Sequence, residues 1–349
     1  MLRTDTLIIT PEFLNRIAAI DEFKGAWIAL GNLAPERLSR LQRVATIESI
    51  GSSTRIEGSH LTDREVEHLP GRIHIRSFAT RDEQEVAGYA EIMDLMFERW
   101  TSMPLTEGTV RQLHRELLRY STKDDWHRGG YKTASNSVAA FDGEGRQVGI
   151  VFETAEPFET PRLMEELIGW TNEQLAAQRL HPLIVIGIFV VVFLEIHPFQ
   201  DGTGRLSRIL TTLLLLQAGY AYVPYSSLES VIEHSKQRYY RALRQTQPTI
   251  RTDRPDWQPW LSYFLDALHT QVTRLRVKAE REHMLSRNLS ALETQIIDHL
   301  QQHGRASIGE LVQVTGANRN TLKLQLRKLV EAHLVTQNGA GRGTWYGLP

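Results

Sequence analysis

The chain contains no cysteine, which excludes disulfides and thiolate metal sites and leaves a reducing, cytoplasmic setting as the expectation. Charge of one sign is equally scarce: 40 Lys and Arg stand against 41 Asp and Glu, for a formal net charge of -1. With no global basic field, any binding of nucleic acid or acidic lipid must be local. Long apolar runs are also missing. The greasiest stretch, LIVIGIFVVVFL from Leu183 to Leu194, is followed at once by Glu195 and falls far short of the roughly 20 residues that cross a bilayer. No membrane partner is expected, and the stretch reads as a buried core element. Its β-branched content leaves helix or strand open. The opening MLRTDTLIITPEFLNRIAAI lacks the apolar core and small-residue cleavage site of a secretory leader, so export is not expected. There is no repeat of solenoid period and no low-complexity tract.

What remains is an ordinary globular composition of 349 residues, 41% hydrophobic and 23% charged, long enough for two or three packed units. From Pro11 to about Trp100 apolar residues recur at helical spacing, as in LNRIAAIDEFKGAWIAL and PERLSRLQRVATIESIGSS. Met103-Pro104-Leu105-Thr106 breaks the pattern, and Thr106 or Glu107 is placed to start the next helix. Between about Gly129 and Glu156 the period changes: SVAAF, the turn-prone DGEGR and QVGIVF predict one β-hairpin among helices. Helical patterns then continue to about residue 285.

The last 79 residues differ in charge, with 11 Lys or Arg against 6 Asp or Glu between 271 and 349. ALETQIIDHLQQHG and SIGELVQVTG predict two helices, the second opened by Ser307 and Glu310 at capping-box spacing. A third helix is predicted over Asn318–Leu334, followed by a hairpin, LVTQ-NGAGRG-TWYGL. Helix, helix, helix, two-stranded wing is a winged helix-turn-helix layout. Its candidate phosphate contacts are Arg319, Lys323, Arg327 and Lys328, with Arg342 on the wing. The excess of positive charge is modest, so such a domain also suits dimerisation or partner capture.

Chemistry concentrates in His197-Pro-Phe-Gln-Asp201-Gly202-Thr203-Gly204-Arg205-Leu-Ser-Arg208, just after the apolar stretch and just before a helical pattern. Gly202 and Gly204 flank one residue at a helix start, which lets main-chain N–H groups turn toward an anion. Arg205 and Arg208, three apart, are expected to point to the same side and add charge for a polyphosphate. Asp201 offers a hard oxygen for Mg²⁺, and His197 is a proton acceptor near neutral pH. His114, His127 and His181 show no metal-ligand spacing and read as packing, capping or surface residues. Trp257 and Trp260 sit at helical spacing and read as core rather than a stacking platform.

Together these residues resemble the signature of the Fic family, His-x-Phe-x-Asp/Glu-Gly-Asn-Gly-Arg-x-x-Arg, at every specified position but one: Thr203 stands where the pattern has Asn. Ser53-x-x-x-Glu57-Gly58 resembles the family's inhibitory Ser/Thr-x-x-x-Glu-Gly/Asn helix, and the hairpin at 130–155 resembles its target-docking flap. The similarity runs over roughly residues 40–265. It implies a mainly α fold: a Fic-type helical core with one β-hairpin flap, plus the C-terminal winged helix. The corresponding domains are an N-terminal helical region at 1–100 carrying the inhibitory helix, a catalytic core at 101–265, a linker helix at 266–288 and the winged helix at 289–349.

The same resemblance implies transfer of AMP from ATP to a Ser, Thr or Tyr hydroxyl of a protein, the chain itself included. His197 would be the base and Asp201 would hold Mg²⁺ on the phosphates. Gly202, Thr203 and Gly204 would present main-chain donors, and Arg205 and Arg208 would bind phosphate, Arg208 at the γ position. Thr203 has one hydroxyl donor where Asn has two amide donors, so an altered phosphate orientation or a weaker rate is expected. Either Tyr239 or Tyr240, with Gln247, would approach the base. Ser53, Glu57 and Gly58 would form the inhibitory element, Glu57 pairing with Arg208 and displacing the γ-phosphate. An extended target would lie along the strand edge at Gln147–Phe152, and Fic proteins are often homodimers. The competing class is a DNA-binding regulator whose Fic-like core senses a nucleotide or partner.

Overall fold

The computed structural model of the chain describes residues 2–29, 35–68, 78, 80–136, 138–141, 147–152, 154–288, 290–331, 334–339 and 341–348. These form two compact units, 1–276 and 277–349.

The larger unit is built around the apolar stretch, which is a helix, α7 (Pro182–Ile196), with every residue from Leu183 to Ile196 buried. Its β-branched side chains fit a helix because protein surrounds it on all sides, so packing overrides propensity. The ends are local. His181 caps the start, its ring accepting from the Leu183 N–H at 3.3 Å, and Pro182 takes the first turn. At the other end His197 precedes a proline, which disfavours helical backbone, and His197 adopts φ 50°.

Around α7 the chain contributes α1 (Pro11–Ala29), α2 (Pro35–Ile56), α3 (Asp63–His68), α4 (Arg81–Arg99), α5 (Glu107–Leu117), α6 (Thr160–Ala177), α8 (Thr203–Gln217), α9 (Leu228–His234), α10 (Lys236–Thr246) and the start of α11 (Gln258–Asn288). Helices α6 and α8 pack directly on α7, α4 on α5, and α2 on α4 and α9. Thr80 and Glu83 form a capping box on α4, and Thr106 caps α5. Trp257 and Trp260 are core, as their spacing suggested, and the Trp260 indole donates to the Gly187 carbonyl at 2.7 Å. Gly88 lets α4 approach α5 closely: a Cβ there would sit 2.1 Å from the Leu117 carbonyl oxygen.

The predicted hairpin is present as β1 (Val138–Phe141) and β2 (Gln147–Phe152), antiparallel, with Val138 opposite Phe152 and Phe141 opposite Gln147. Its DGEGR turn lies outside the described residues. The register shifts twice along the pair, between Val138 and Ala139 and between Ala140 and Phe141.

In the smaller unit, α12 (Ala291–His303), α13 (Ile308–Thr315) and α14 (Arg319–Glu331) surround a core of Ile296, Leu300, Leu311, Leu322, Leu326 and Leu329. The third helix is shorter than the predicted Asn318–Leu334. Asn318 lies outside it as the cap, its side-chain oxygen accepting from Asn320 and Thr321 N–H at 3.0 and 2.9 Å. The wing strands β4 (Thr336–Asn338) and β5 (Trp345–Gly347) are joined by β3 (Arg305–Ala306), in the order β3-β5-β4. Two residues carry too short a pattern for β3 to be read from sequence.

Substituting Gly88→Ala is expected to lower stability by about 1–3 kcal/mol, since backbone rather than a flexible side chain blocks the new methyl. Gly169→Ala in α6 meets nothing within 4 Å and is expected to hold or raise the melting temperature; calorimetric scans of the two variants check this.

Candidate active site

The loop between α7 and α8 holds the motif from His197 to Gly202, the first turns of α8 carry it from Thr203 to Arg208, and the loop's shape follows from short-range chemistry. Left-handed backbone at His197 and Gly202 (φ 50° and 80°) turns the chain twice before α8 begins. Thr203 closes the loop: its buried hydroxyl donates to the Phe199 carbonyl at 3.3 Å and accepts from the Phe199 N–H at 3.4 Å. Its side chain is thus turned inward, while its main chain stays in the first turn of α8. A second brace comes from α5, where His114 stacks on Phe199 with ring centroids 3.8 Å apart. Its Nδ1 accepts from the Gly129 N–H and its Nε2 meets the Asp201 carbonyl, both at 2.9 Å. Burial pushes the His114 pKa down to about 4, so Nε2 carries the proton and donates.

His197 is half-buried at the mouth of this loop. Burial, with the Lys132 ammonium nearby, pushes its pKa down to about 4. The ring is therefore neutral at physiological pH and able to accept a proton.

The two arginines do not point to the same side. Arg205 is buried, with Nη1 2.9 Å from Glu85 and Nη2 3.2 Å from Asp201. Asp201 also accepts from the Gly202 N–H at 2.6 Å and from Arg81 at 2.6 Å, and Arg81 in turn pairs with Glu85 at 2.8 Å. Burial alone would raise the Asp201 pKa, but Arg205, the Gly202 N–H and Arg81 outweigh it and hold the carboxyl below its usual value. Arg208 instead reaches α2. Its Nε and Nη2 donate to the Ser53 hydroxyl at 2.8 Å and the Ser53 carbonyl at 2.9 Å, and Nη2 lies 2.8 Å from Glu57 Oε1.

Glu57 sits just past the end of α2, and its carboxylate rests against the start of α8: a Cβ on Gly204 would stand 2.3 Å from Oε1. Burial would raise its pKa, but Arg208 and Arg205 hold it down. The turn is fastened on both sides. Arg55 holds Glu233 at 2.7 Å and Asp63 at 2.8 Å, Lys236 donates to the Ile56 carbonyl at 2.8 Å, and Gly58 takes φ 107°.

Of the residues expected near a base, Tyr239 is buried among Tyr240, Trp260 and Tyr263, with ring centroids 5.1, 5.8 and 5.8 Å away. Burial lifts the Tyr240 pKa to about 12, with Glu57 adding to the shift. Gln247 is 3% exposed, and both polar atoms of its amide lack a hydrogen-bond partner among the described residues. One nitrogen of Arg208, Nη1, is also unpartnered. The cavity bounded by Ser207, Arg208, Tyr239 and Trp260 is only about 20 Å³, room for a water at most. Sequence reading did not find Arg81, Glu85, His114 as a brace, or Lys132, because none belongs to a local pattern.

Replacing His114 with Phe keeps the stack on Phe199 but strands the Gly129 N–H and the Asp201 carbonyl. A loss of about 1–3 kcal/mol is expected by denaturant titration.

Residues 104–215 match the Fic/DOC family model, and residues 289–336 match a winged helix-turn-helix DNA-binding model. The protein adenylyltransferase Fic of Drosophila willistoni is 25% identical over 235 residues, covering 66% of this chain and 42% of that protein. The chain thus spans less than half the length of the curated relatives it matches. A Fic family protein from Desulfovibrio desulfuricans has a crystal structure that aligns at TM-score 0.65 and 25% identity, over 99% of this chain and 98% of that one. A Fic domain-containing signaling protein from Bacteroides thetaiotaomicron aligns at TM-score 0.60 and 25% identity, over 75% and 97%. No helix among the described residues is long and apolar enough to cross a membrane. The chain carries a Fic/DOC-family domain within a fold shared with solved Fic proteins, followed by a winged helix-turn-helix domain.

Proposed function

We propose that the chain is an autoinhibited protein adenylyltransferase that moves AMP from ATP onto a Ser, Thr or Tyr hydroxyl of a protein target or of itself. One observation carries the reading: the Glu57 carboxylate lies against Gly204 and pairs with Arg208 at 2.8 Å. An anion of the chain's own thus occupies a helix start suited to phosphate.

In the transfer, His197 takes the proton of the acceptor hydroxyl as its oxygen bonds to the α-phosphorus. The bond from that phosphorus to the bridging oxygen breaks, and pyrophosphate leaves with the electron pair. The N–H groups at Thr203 and Gly204 and the Arg208 guanidinium bind phosphate oxygens, the Gly202 N–H being taken by Asp201, and the stranded Gln247 amide supports a ligand with donors and acceptors of its own. Asp201, ionised, would hold Mg²⁺, which supplies charge neutralisation on the phosphates when bound. Among the described residues no group of three His, Asp or Glu could hold a metal; one carboxylate suits Mg²⁺ because phosphates and water complete its shell. Arg81 holds the same carboxylate at 2.6 Å, so the metal would have to displace it.

A second reading, a DNA-binding regulator with a sensing core, is favoured by one feature: Arg319, Lys323, Arg327 and Lys328 are all exposed on α14. Arg342 lies at a position whose side chain is outside the described set.

The first test is transfer of label from α-³²P-ATP with Mg²⁺. Glu57→Gly is expected to raise labelling at least about tenfold, and adding His197→Ala to lower it by about 10²–10⁴. No labelling by any variant would overturn the transferase reading. Duplex DNA binding that falls steeply between about 50 and 200 mM salt, and is lost in Lys323→Glu/Lys328→Glu, would support the second; no binding at the lower salt removes it.

A further inference from the structure

Lys132 stands outside every motif, yet it is 3% exposed. It follows Tyr131 in the segment leading to the hairpin. Its ammonium makes three hydrogen bonds, to the Ile196 carbonyl at 3.0 Å, to Asn136 Oδ1 at 2.9 Å and to Thr154 Oγ1 at 2.9 Å. Its backbone N–H donates to the Pro198 carbonyl at 2.9 Å. Asn136 continues the network by donating to the Phe199 carbonyl at 2.8 Å, and the Thr154 hydroxyl meets the Asn136 backbone carbonyl at 2.5 Å.

These partners come from two places. Asn136 lies just ahead of β1 and Thr154 just beyond β2, so they are the two feet of the hairpin. Ile196, Pro198 and Phe199 bracket His197. The three protons of the ammonium are thus shared between both feet and the carbonyl that immediately precedes the histidine.

Burying an ammonium, here on three neutral oxygens among the described residues, is a costly choice for a mere spacer. Burial pushes the Lys132 pKa down to about 8, with Glu156 and Glu195 opposing the shift. The same charge is the largest electrostatic influence on His197 after burial itself, acting against Glu57 and Asp201, which favour the protonated ring.

We propose that Lys132 is a positioning residue: it registers the hairpin against the catalytic loop, so that the strand edge available to an acceptor and the base at His197 are set by one group. This rests on the transferase reading for its purpose, but its physical content does not need transfer to be observed.

The test uses the full chain with Lys132→Met, Lys132→Gln and Lys132→Arg and two readouts independent of activity. In the Met and Gln variants, amides of 138–141 and 147–152 are expected to exchange at least about tenfold faster, while those of α7 and α8 keep their protection. The His197 midpoint, assigned by NMR against His197→Gln, is expected to rise from about 4 toward 6.5, because removing a nearby cation favours the imidazolium. Lys132→Arg keeps the charge and is expected to hold His197 low. An unchanged hairpin or an unchanged His197 titration in the neutral variants overturns the proposal, as does loss of folding in both, which would assign Lys132 to general stability. Absence of label transfer in Glu57→Gly would sink the transferase reading alone.

Discussion

The state of the site depends on how a buried guanidinium is satisfied. Arg208 is 4% exposed, and a charge so placed costs several kcal/mol unless an anion and hydrogen-bond acceptors compensate it. Glu57, just past the end of α2, supplies the anion, and Ser53 within α2 supplies two of the acceptors. The carboxylate also lies against the start of α8, where a Cβ on Gly204 would meet it and the positive end of the helix favours an anion. Arg55 and Lys236 fasten the last turn of α2, just ahead of Glu57, to α9 and α10.

Around that pair the loop is held by many small contacts. Thr203 joins the two backbone groups of Phe199, His114 stacks on the Phe199 ring and holds the Asp201 carbonyl, and the segment at Lys132 and Asn136 binds the carbonyls of 196, 198 and 199. Apart from that ring stack, each is a bond to main chain, so the loop's shape depends on groups that nearly every residue carries. That explains how Thr can stand at 203 without loosening the turn: a hydroxyl bridges N–H and C=O of one residue.

The two acidic side chains of the site are restrained by different means. Glu57 has the arginine of α8, whereas Asp201 shares Arg205 with Glu85 and shares Arg81 as well. Arg205 therefore works across the loop, tying α4 to α8, and Arg208 works toward α2. Three residues along a helix advance the direction by about 300°, and here the difference is enough for two separate ion-pair systems.

Much of this chain was legible in its order of residues. Local chemistry writes itself into neighbouring positions: Thr106 and Ser307 stood out as helix starts, and both cap helices. Gly202 permits a left-handed turn, and the change of period around the turn-prone DGEGR marked out the hairpin. Motif spacing likewise brought forward His197, Asp201 and Arg208, and the resemblance to Fic proteins brought forward Glu57 as the partner of Arg208. Tertiary structure decided the rest, because the deciding partners lie far along the chain. Packing on every side made a helix of Leu183–Leu194, whose pattern suits a strand equally well. Partners more than a hundred residues away sent Arg205 and Arg208 apart, and a fold-dependent juxtaposition placed His114, Arg81 and Lys132 on the loop. A side chain's type and spacing set what it can bond, but burial and distance set what it does bond, and those are properties of the folded chain alone.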